Sequence, residues 1–536
     1  MIEKLLENWL DSSTERSYQP VFVQMLTAKG YKVVHSTRHC ALEYGKDILA
    51  INENGIGCAF QLKSGSGRMS QSHFINKIQP QLIQLMSQRV VFPGFPNSPH
   101  KSYFVTNGYL EEEVIRAIDD LNRAQYRSKI EIWNRGVLID MCKELGTRLW
   151  PCELEDSRQI LEIYLSNPQD IFPLEKTAKI IEKVLKIQNN GDAFGNINEW
   201  NRSVTSAAVL IGILTSSFQE NDNYFAIVSA WTYFTVSVIS SADKHGFRID
   251  GVVLETLNLA EKEIFFSASK LFDEVLEKKD MFEGSSLPDS FIIDWRIILL
   301  LGVFSALGIY DNEKKYLNEE KRELLKKWLK EKRLLRVWGE GAFASIGTWL
   351  LWLRVNDSTL YPDEMIASFC SLNVNLNKPH SSKPLVTPYY SFEQIVNYLM
   401  GFGNKSEFVS GESFSGCSFT SKTLFDMLVR TNSKQKCQTL WPDLTRITHR
   451  VCIPDNSWEY CRLRINNGKD VSEILPNTKE WKELRKEVKV RHPEYIPKEL
   501  LERPAILALW WQIAPYRYTT WANNELIERL IPGWEI

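Results

Sequence analysis

Residues 44–65 read YGKDILAINENGIGCAFQLKSG, two short apolar runs on either side of Asn54-Gly55. That dipeptide between alternating residues is a strong local sign of a β-hairpin. Two registers are open to it. A two-residue Asn54-Gly55 turn pairs Asp47 with Leu62 and places the acid on the face opposite Gln61 and Lys63. A three-residue loop, Glu53-Asn54-Gly55 with Gly55 left-handed, pairs Asp47 with Gln61 instead. This second register gathers Ile48, Ala50, Cys58, Phe60 and Leu62 on one face. The other face then carries Asp47, Gln61 and Lys63, together with Leu49 and Ala59. It is the register expected, because it separates an apolar core face from the polar groups.

Three polar groups on a hairpin can be an ordinary solvated face. Their order argues for chemistry. An acid opens the first strand, and an amide and an amine alternate at the end of the second. The acid suits a hard divalent cation, the amide oxygen adds a neutral ligand, and the amine can orient an attacking water. This is the equipment of metal-assisted phosphodiester hydrolysis.

Working outward, Ile2, Leu5, Leu6, Trp9 and Leu10 recur at helical spacing. Ser12-Ser13-Thr14-Glu15 has the form of a capping box that starts a second helix, with Val21, Phe22, Met25 and Leu26 inward and Gly30 as its stop. Pro20 falls in the first turn or kinks that helix. Residues 31–35 read as a strand and 46–52 and 56–63 as the hairpin arms. A helix follows over 70–88, with Phe74, Ile75, Ile78, Leu82, Leu85 and Met86 inward. Then come strand 102–106, helix 111–124, strand 130–133 and helix 137–144. The first 150 residues therefore predict an α/β module.

In this order the stretch resembles the PD-(D/E)XK nuclease superfamily, in its Mrr-like restriction endonuclease branch, over residues 10–146. Asp47, Gln61 and Lys63 match the pattern of an acid followed by Q-x-K. The helix ending at Gly30-Tyr31, the strand end Phe104-Val105-Thr106-Asn107-Gly108 and the Ile130-Glu131-Ile132-Trp133 strand agree with it. The resemblance implies a restriction-endonuclease-like fold that cleaves DNA with Mg²⁺, or Mn²⁺ in its place. It implies metal ligation by Asp47, Gln61 and the Leu62 carbonyl, with Lys63 placing the water. It departs at one position: where the family carries a glutamate on the first helix, this chain has Gln19. Glu15, one turn earlier, faces the same side and is the substitute, although its expected role is the capping box with Ser12. Glu43 and Tyr44 are further supplements. Ser64, Gly65, Ser66, Gly67 and Arg68 form a flexible polar loop open to a phosphate backbone, or an ordinary connection.

Beyond Pro151 long helical windows predominate, at 174–187, 199–218, 224–242, 253–277, 291–309, 312–334 and 343–355, with no fixed repeat. The domain reading is 1–150 nuclease-like, 151–374 helical for sensing or assembly, and 375–536 mostly helical with short strands near 448–453 and 458–465. The polar loop 375–384 marks a boundary, and 403–421 reads as a flexible connection. Windows 203–218 and 224–242 lack charge. They are expected to be buried core helices, with a membrane span the minor alternative for 224–242.

The 536 residues carry a net charge of −2, which gives no global nucleic-acid signal; the first 150 hold 18 Lys/Arg against 15 Asp/Glu, so what excess there is lies there. Nine cysteines without a CxxC pair disfavour zinc and a disulfide framework. The acidic, amphipathic start is unlike a signal peptide, so a cytoplasmic location is expected. Gly401-Phe402-Gly403-Asn404-Lys405 lacks P-loop spacing. His449, Arg450, Trp458, Tyr460, Arg462 and Arg464 mix rings and charge as nucleic-acid binders do, but half-buried aromatics beside solvated arginines are expected. His35 and His39 are taken as structural or surface.

The expected function is a DNA endonuclease, within a prokaryotic restriction or anti-phage system. Its helical region would sense a trigger, form a homo-oligomer or bind a partner protein. RNA cleavage, or an inactive nucleic-acid-binding scaffold, is the alternative.

Overall fold

The fold is described from a computed structural model that covers residues 2–36, 45–65, 67–124, 126–146, 154–189, 191–277, 287–311, 316–331, 337–356, 363–381, 384–390, 394–395, 415–463 and 469–532. Helix α1 (Ile2–Ser12) and helix α2 (Glu15–Ala28) lead into strand β1 (Lys32–Ser36). The hairpin follows as β2 (Ile48–Ile51) and β3 (Gly57–Lys63). A two-residue strand β4 (Arg68–Met69) precedes a helical run made of α3 (Gln71–His73), a π-helical turn (Phe74–Ile78) and α4 (Gln79–Ser87). Strand β5 (Lys101–Thr106), the short β6 (Tyr109–Leu110), α5 (Glu112–Arg123), β7 (Ile130–Trp133) and α6 (Arg135–Gly146) complete the α/β region.

The main sheet has the order β1-β2-β3-β5-β7. The β1–β2 and β2–β3 pairs are antiparallel; β3–β5 and β5–β7 are parallel. Both faces are covered, which departs from an apolar face set against a polar one. On one side Phe60 packs edge-on to Phe22 of α2, with ring centroids 5.7 Å apart, and stacks on Tyr103. On the other side Leu49, Ala59 and Phe104 join a core with Phe74, Ile78, Leu82 and Ile118. Ile75, expected inward, is 45% exposed. The π turn inserts an extra residue, so Phe74 and Ile78 align and Ile75 is rotated outward. Pro80 lacks an N–H to offer the helical ladder, which favours the wider turn just before it.

The chain divides into two compact units, residues Met1–Ile264 and Phe265–Ile536. The first unit joins the sheet to the helices that follow, although a change in sequence character falls near 150. Helices α7 (Leu154–Tyr164), α8 (Leu174–Val184), α9 (Ile197–Glu220) and α10 (Tyr224–His245) belong to it, and α11 (Gly251–Glu277) begins in it. Helix α9 lies directly against α2; a Cβ on Gly212 would stand 2.7 Å from Val21 Cγ2. Among the described residues α10 is long and apolar enough to cross a membrane, yet 94% of that window is buried inside the protein. The hydroxyls of Ser229 and Thr235 turn back onto the helix's own carbonyls, at 2.8 and 2.9 Å, and that of Ser241 donates to Leu185 O, which helps a Ser/Thr-rich helix sit in a core.

The second unit is also largely helical. Helices α12 (Leu287–Tyr310), α13 (Glu319–Glu331), α14 (Ala342–Asn356) and α15 (Asp363–Asn377) are followed by a three-stranded sheet. Its strands are β8 (Cys417–Ser418), β9 (Thr448–Ile453) and β10 (Lys469–Ile474), in the order β10-β9-β8. Where a strand is expected over 458–465, the described residues begin with a 3₁₀ helix, Ser457–Cys461, started by an Asn456–Glu459 capping box, and 464–465 lie outside them. The strand that pairs with β9 lies further on, at β10. Of the connection expected over 403–421, residues through 414 lie outside the described ones, and Ser421 opens the helix Ser421–Arg430.

Candidate active site

The hairpin takes the three-residue register. Ile48 pairs with Phe60 and Ala50 with Cys58, which sets Asp47 opposite Gln61. The loop closes through Asn52 N to Ile56 O at 3.0 Å, and Gly55 sits at φ +74°, a conformation a side chain would strain. Gln61 Nε2 accordingly donates to Asp47 Oδ2 at 2.6 Å, and the Leu62 amide donates to the same oxygen at 2.6 Å. The Gln61 amide also lies 3.4 Å from the Leu62 carbonyl. The three residues expected to ligate a metal thus form one cluster at the mouth of two strands.

Its entrance is tightly built. Gly45 has φ +74°, and a Cβ there would run into the Gln81 carbonyl and approach Gln61 Oε1 to 3.2 Å. Gln61 is 2% exposed, and its Oε1 meets no donor among the described residues. A buried amide oxygen without a partner costs about 1–3 kcal/mol, and a hard cation is one group that removes that cost. Beside Asp47, Lys46 is buried, and burial pulls its ammonium down to about 8.

Lys63 Nζ meets Glu15, at 3.3 Å from Oε1 and 3.2 Å from Oε2, and Ser64 N lies 3.4 Å from Oε1. Both side chains retain solvent contact, 18% exposed for Lys63 and 32% for Glu15. The capping box expected to engage Glu15 does not form. Ser12 is the last residue of α1, and its hydroxyl donates to Asn8 O and Trp9 O. Gln19 donates to Ser36 Oγ at 3.0 Å. Glu43, Tyr44 and His39 fall outside the described residues. His35 packs against Phe92 with the rings tilted by 38° and their centroids 4.4 Å apart.

Sequence reading gave no role to two residues beneath the site. Tyr18 is buried, and its hydroxyl faces Lys63 O at 3.4 Å and Val105 O at 3.5 Å. Burial, and then the nearby Glu15 and Asp47 carboxylates, push its ionisation well above the ordinary range, so it stays a neutral donor. Its position three residues after Glu15 was the available signal. Asn107 donates to Leu10 O at 2.7 Å and Ser13 O at 2.8 Å and accepts from Gly65 N at 2.9 Å. It ties the α1–α2 corner to the loop after Lys63. That loop, expected to be flexible, is pinned where it is described: Tyr109 N donates to Gly67 O, and β4 pairs with β6.

The arrangement offers hard oxygen donors, a lysine beside solvent and a carboxylate that holds the lysine. Among the described residues there is no group of three or more His, Cys, Asp or Glu fit to hold a metal ion; Asp47 is the carboxylate that Gln61 and the Leu62 amide bond. Of the basic and aromatic set near the C-terminus, His449, Trp458 and Tyr460 are buried and Arg450 and Arg462 half-buried, while Arg464 lies outside the described residues. His449 Nδ1 lies 3.0 Å from Ser421 Oγ, and burial pulls its imidazolium down to about 4. Compared with protein-family models, curated proteins and solved structures, the chain gives no match.

Proposed function

We propose that the first unit is a Mg²⁺-dependent nuclease of the PD-(D/E)XK type, with a restriction-endonuclease-like α/β region, that hydrolyses phosphodiester bonds in DNA. The observation that carries this reading is a pair of contacts at one end of β2 and β3, Gln61 with Asp47 at 2.6 Å and Lys63 with Glu15 at 3.2–3.3 Å, with both carboxylates near enough to act on Tyr18. The Gln61 oxygen, which meets no donor among the described residues, supports it. Asp47 and Gln61 would hold Mg²⁺, with the Leu62 carbonyl as third protein ligand. The amide now turns its nitrogen to Asp47, so joint ligation requires it to present Oε1 instead. Bound Mg²⁺ supplies Lewis acidity at the scissile phosphate.

The protein's own groups do the rest. Lys63 orients a water for in-line attack on phosphorus, and its charge opposes that developing on the phosphoryl oxygens as the bond to the leaving oxygen breaks. Glu15 keeps the ammonium aimed and accepts a proton as the water is consumed. With one carboxylate on the metal, affinity for Mg²⁺ is expected to be weak until DNA phosphates complete the coordination sphere. The resemblance further suggests a cytoplasmic restriction or anti-phage effector whose helical region senses a trigger, forms a homo-oligomer or binds a partner protein.

The test is nicking of supercoiled plasmid in Mg²⁺ and in Mn²⁺, with labelled RNA in parallel. Asp47→Ala and Lys63→Ala are expected to lower the rate at least about 100-fold. Cleavage that survives both substitutions sinks the site. Faster cleavage of RNA moves the substrate to RNA. Plasmid retention without cleavage, alone and in cells challenged with phage, returns the unit to a binding scaffold.

A further inference from the structure

Helix α2 lacks a cap of its own making: its N-cap residue Thr14 makes no side-chain bond to the helix. The cap comes from far along the chain. Thr14 N and Thr14 Oγ1 both donate to Glu220 Oε1, at 3.1 and 2.5 Å, across 206 residues. Glu220 is the last residue of α9. Two residues on, Arg16 Nη2 donates to Asp222 Oδ1 at 2.6 Å and to the Tyr224 hydroxyl at 3.0 Å. Tyr224 in turn donates to Asp222 Oδ1 at 2.8 Å. Asp222 holds φ +57°, so the α9–α10 corner is a tight, shaped turn. Asn223 fixes it further, accepting from Ala226 N and donating to Pro168 O and Asp170 O.

Thr14 and Arg16 are the two neighbours of Glu15. Both are held by one corner, while Glu15 between them turns to Lys63 Nζ and Ser64 N. In the first turn of a helix successive side chains fan out by about 100°, so gripping the two outer ones fixes the direction of the middle one. The Glu220 carboxylate also satisfies the Thr14 N–H, and a negative charge at a helix N-terminus favours the macrodipole.

We infer that Glu220 and Asp222 are positioning residues of the Glu15–Lys63 pair, which makes the α9–α10 corner part of the active-site machinery. This rests on the nuclease reading for its catalytic consequence, but the mechanical coupling does not. A trigger or partner that displaces this corner would detune the site without touching it.

Two arms test the inference on the full chain. The first is hydrogen–deuterium exchange without metal or DNA. Glu220→Ala is expected to speed exchange in peptides spanning 12–20 and 60–68, with the middle of α9 unchanged. Faster exchange confined to 216–224 overturns the coupling. The second is a double-mutant cycle on plasmid nicking in Mg²⁺. Glu220→Ala is expected to lower kcat about 10- to 100-fold with KM nearly unchanged, and to have no further effect in a Glu15→Gln background. Glu220→Gln, which keeps an acceptor oxygen for Thr14, is expected to recover most of the rate. Equal losses in both backgrounds assign Glu220 a general structural role and overturn the inference. If the wild-type chain nicks nothing, the nuclease reading fails, and the exchange arm alone decides whether Glu220 holds Glu15.

Discussion

The carboxamide of Asn107 concentrates three contacts in one buried group: two donated to the α1–α2 corner and one accepted from Gly65. It is 1% exposed, so water cannot replace those partners. Asn107→Ala strands two carbonyls and an N–H, and the expected loss is about 2–3 kcal/mol, read from the urea midpoint. Asn107→Asp keeps the acceptor for Gly65 but sets an oxygen against Leu10 O and Ser13 O, so it should give no rescue. If both variants unfold like wild type, Asn107 does not tie the corner. The Glu15–Lys63 pair belongs to this scale too. Both groups are part-exposed, so the pair adds little stability, and its value lies in aim.

At the scale of elements, the α2–α9 contact carries the geometry. Close approach at Gly212 lets the two helices bring Glu220 to Thr14. Gly212→Leu forces side-chain bulk into Val21, and overpacking of this kind costs about 1–3 kcal/mol. The expected result is a lower Tm together with faster amide exchange at the start of α2. A variant as stable as wild type, with α2 equally protected, removes the role given to this contact. The hairpin is the opposite case. Its register follows from three residues of loop and the period of two along its strands, with Gly55 at positive φ as the local enforcer.

At the scale of the whole molecule, the second unit buries a carboxylate. Glu340 is 1% exposed, and burial pushes its ionisation up to about 7, while donors such as Phe419 N and Asn377 Nδ2 pull it partly back. The folded chain therefore holds a proton that the unfolded chain releases near its ordinary value of 4.5. Stability from this group is fully present below that value and lost as pH rises through about 7, by about 3 kcal/mol in all. His449 works the other way: its depressed ionisation makes stability rise between about 4 and 6.5. Comparing wild type with Glu340→Gln isolates the carboxylate. The variant is expected to gain on wild type between pH 5 and pH 8 in chemical denaturation, and parallel curves would refute it.

What the sequence alone determined is local. The order of the longer helices and strands through residue 146, though not the two-residue strands β4 and β6, the pairing of Asp47 with Gln61 and the burial of α10 could all be read from period, turn chemistry and charge. These depend on neighbours a few residues away, which a pattern records. Only the tertiary structure decided where Glu15 points. Its spacing from Ser12 matches a capping box, but Ser12 completes α1 and the cap arrives from Glu220. The outward turn of Ile75 and the replacement of an expected strand by the 3₁₀ helix at Ser457–Cys461 are smaller cases of the same kind. A side chain with two chemically equal partners is committed by packing, and packing here joins residues 206 positions apart.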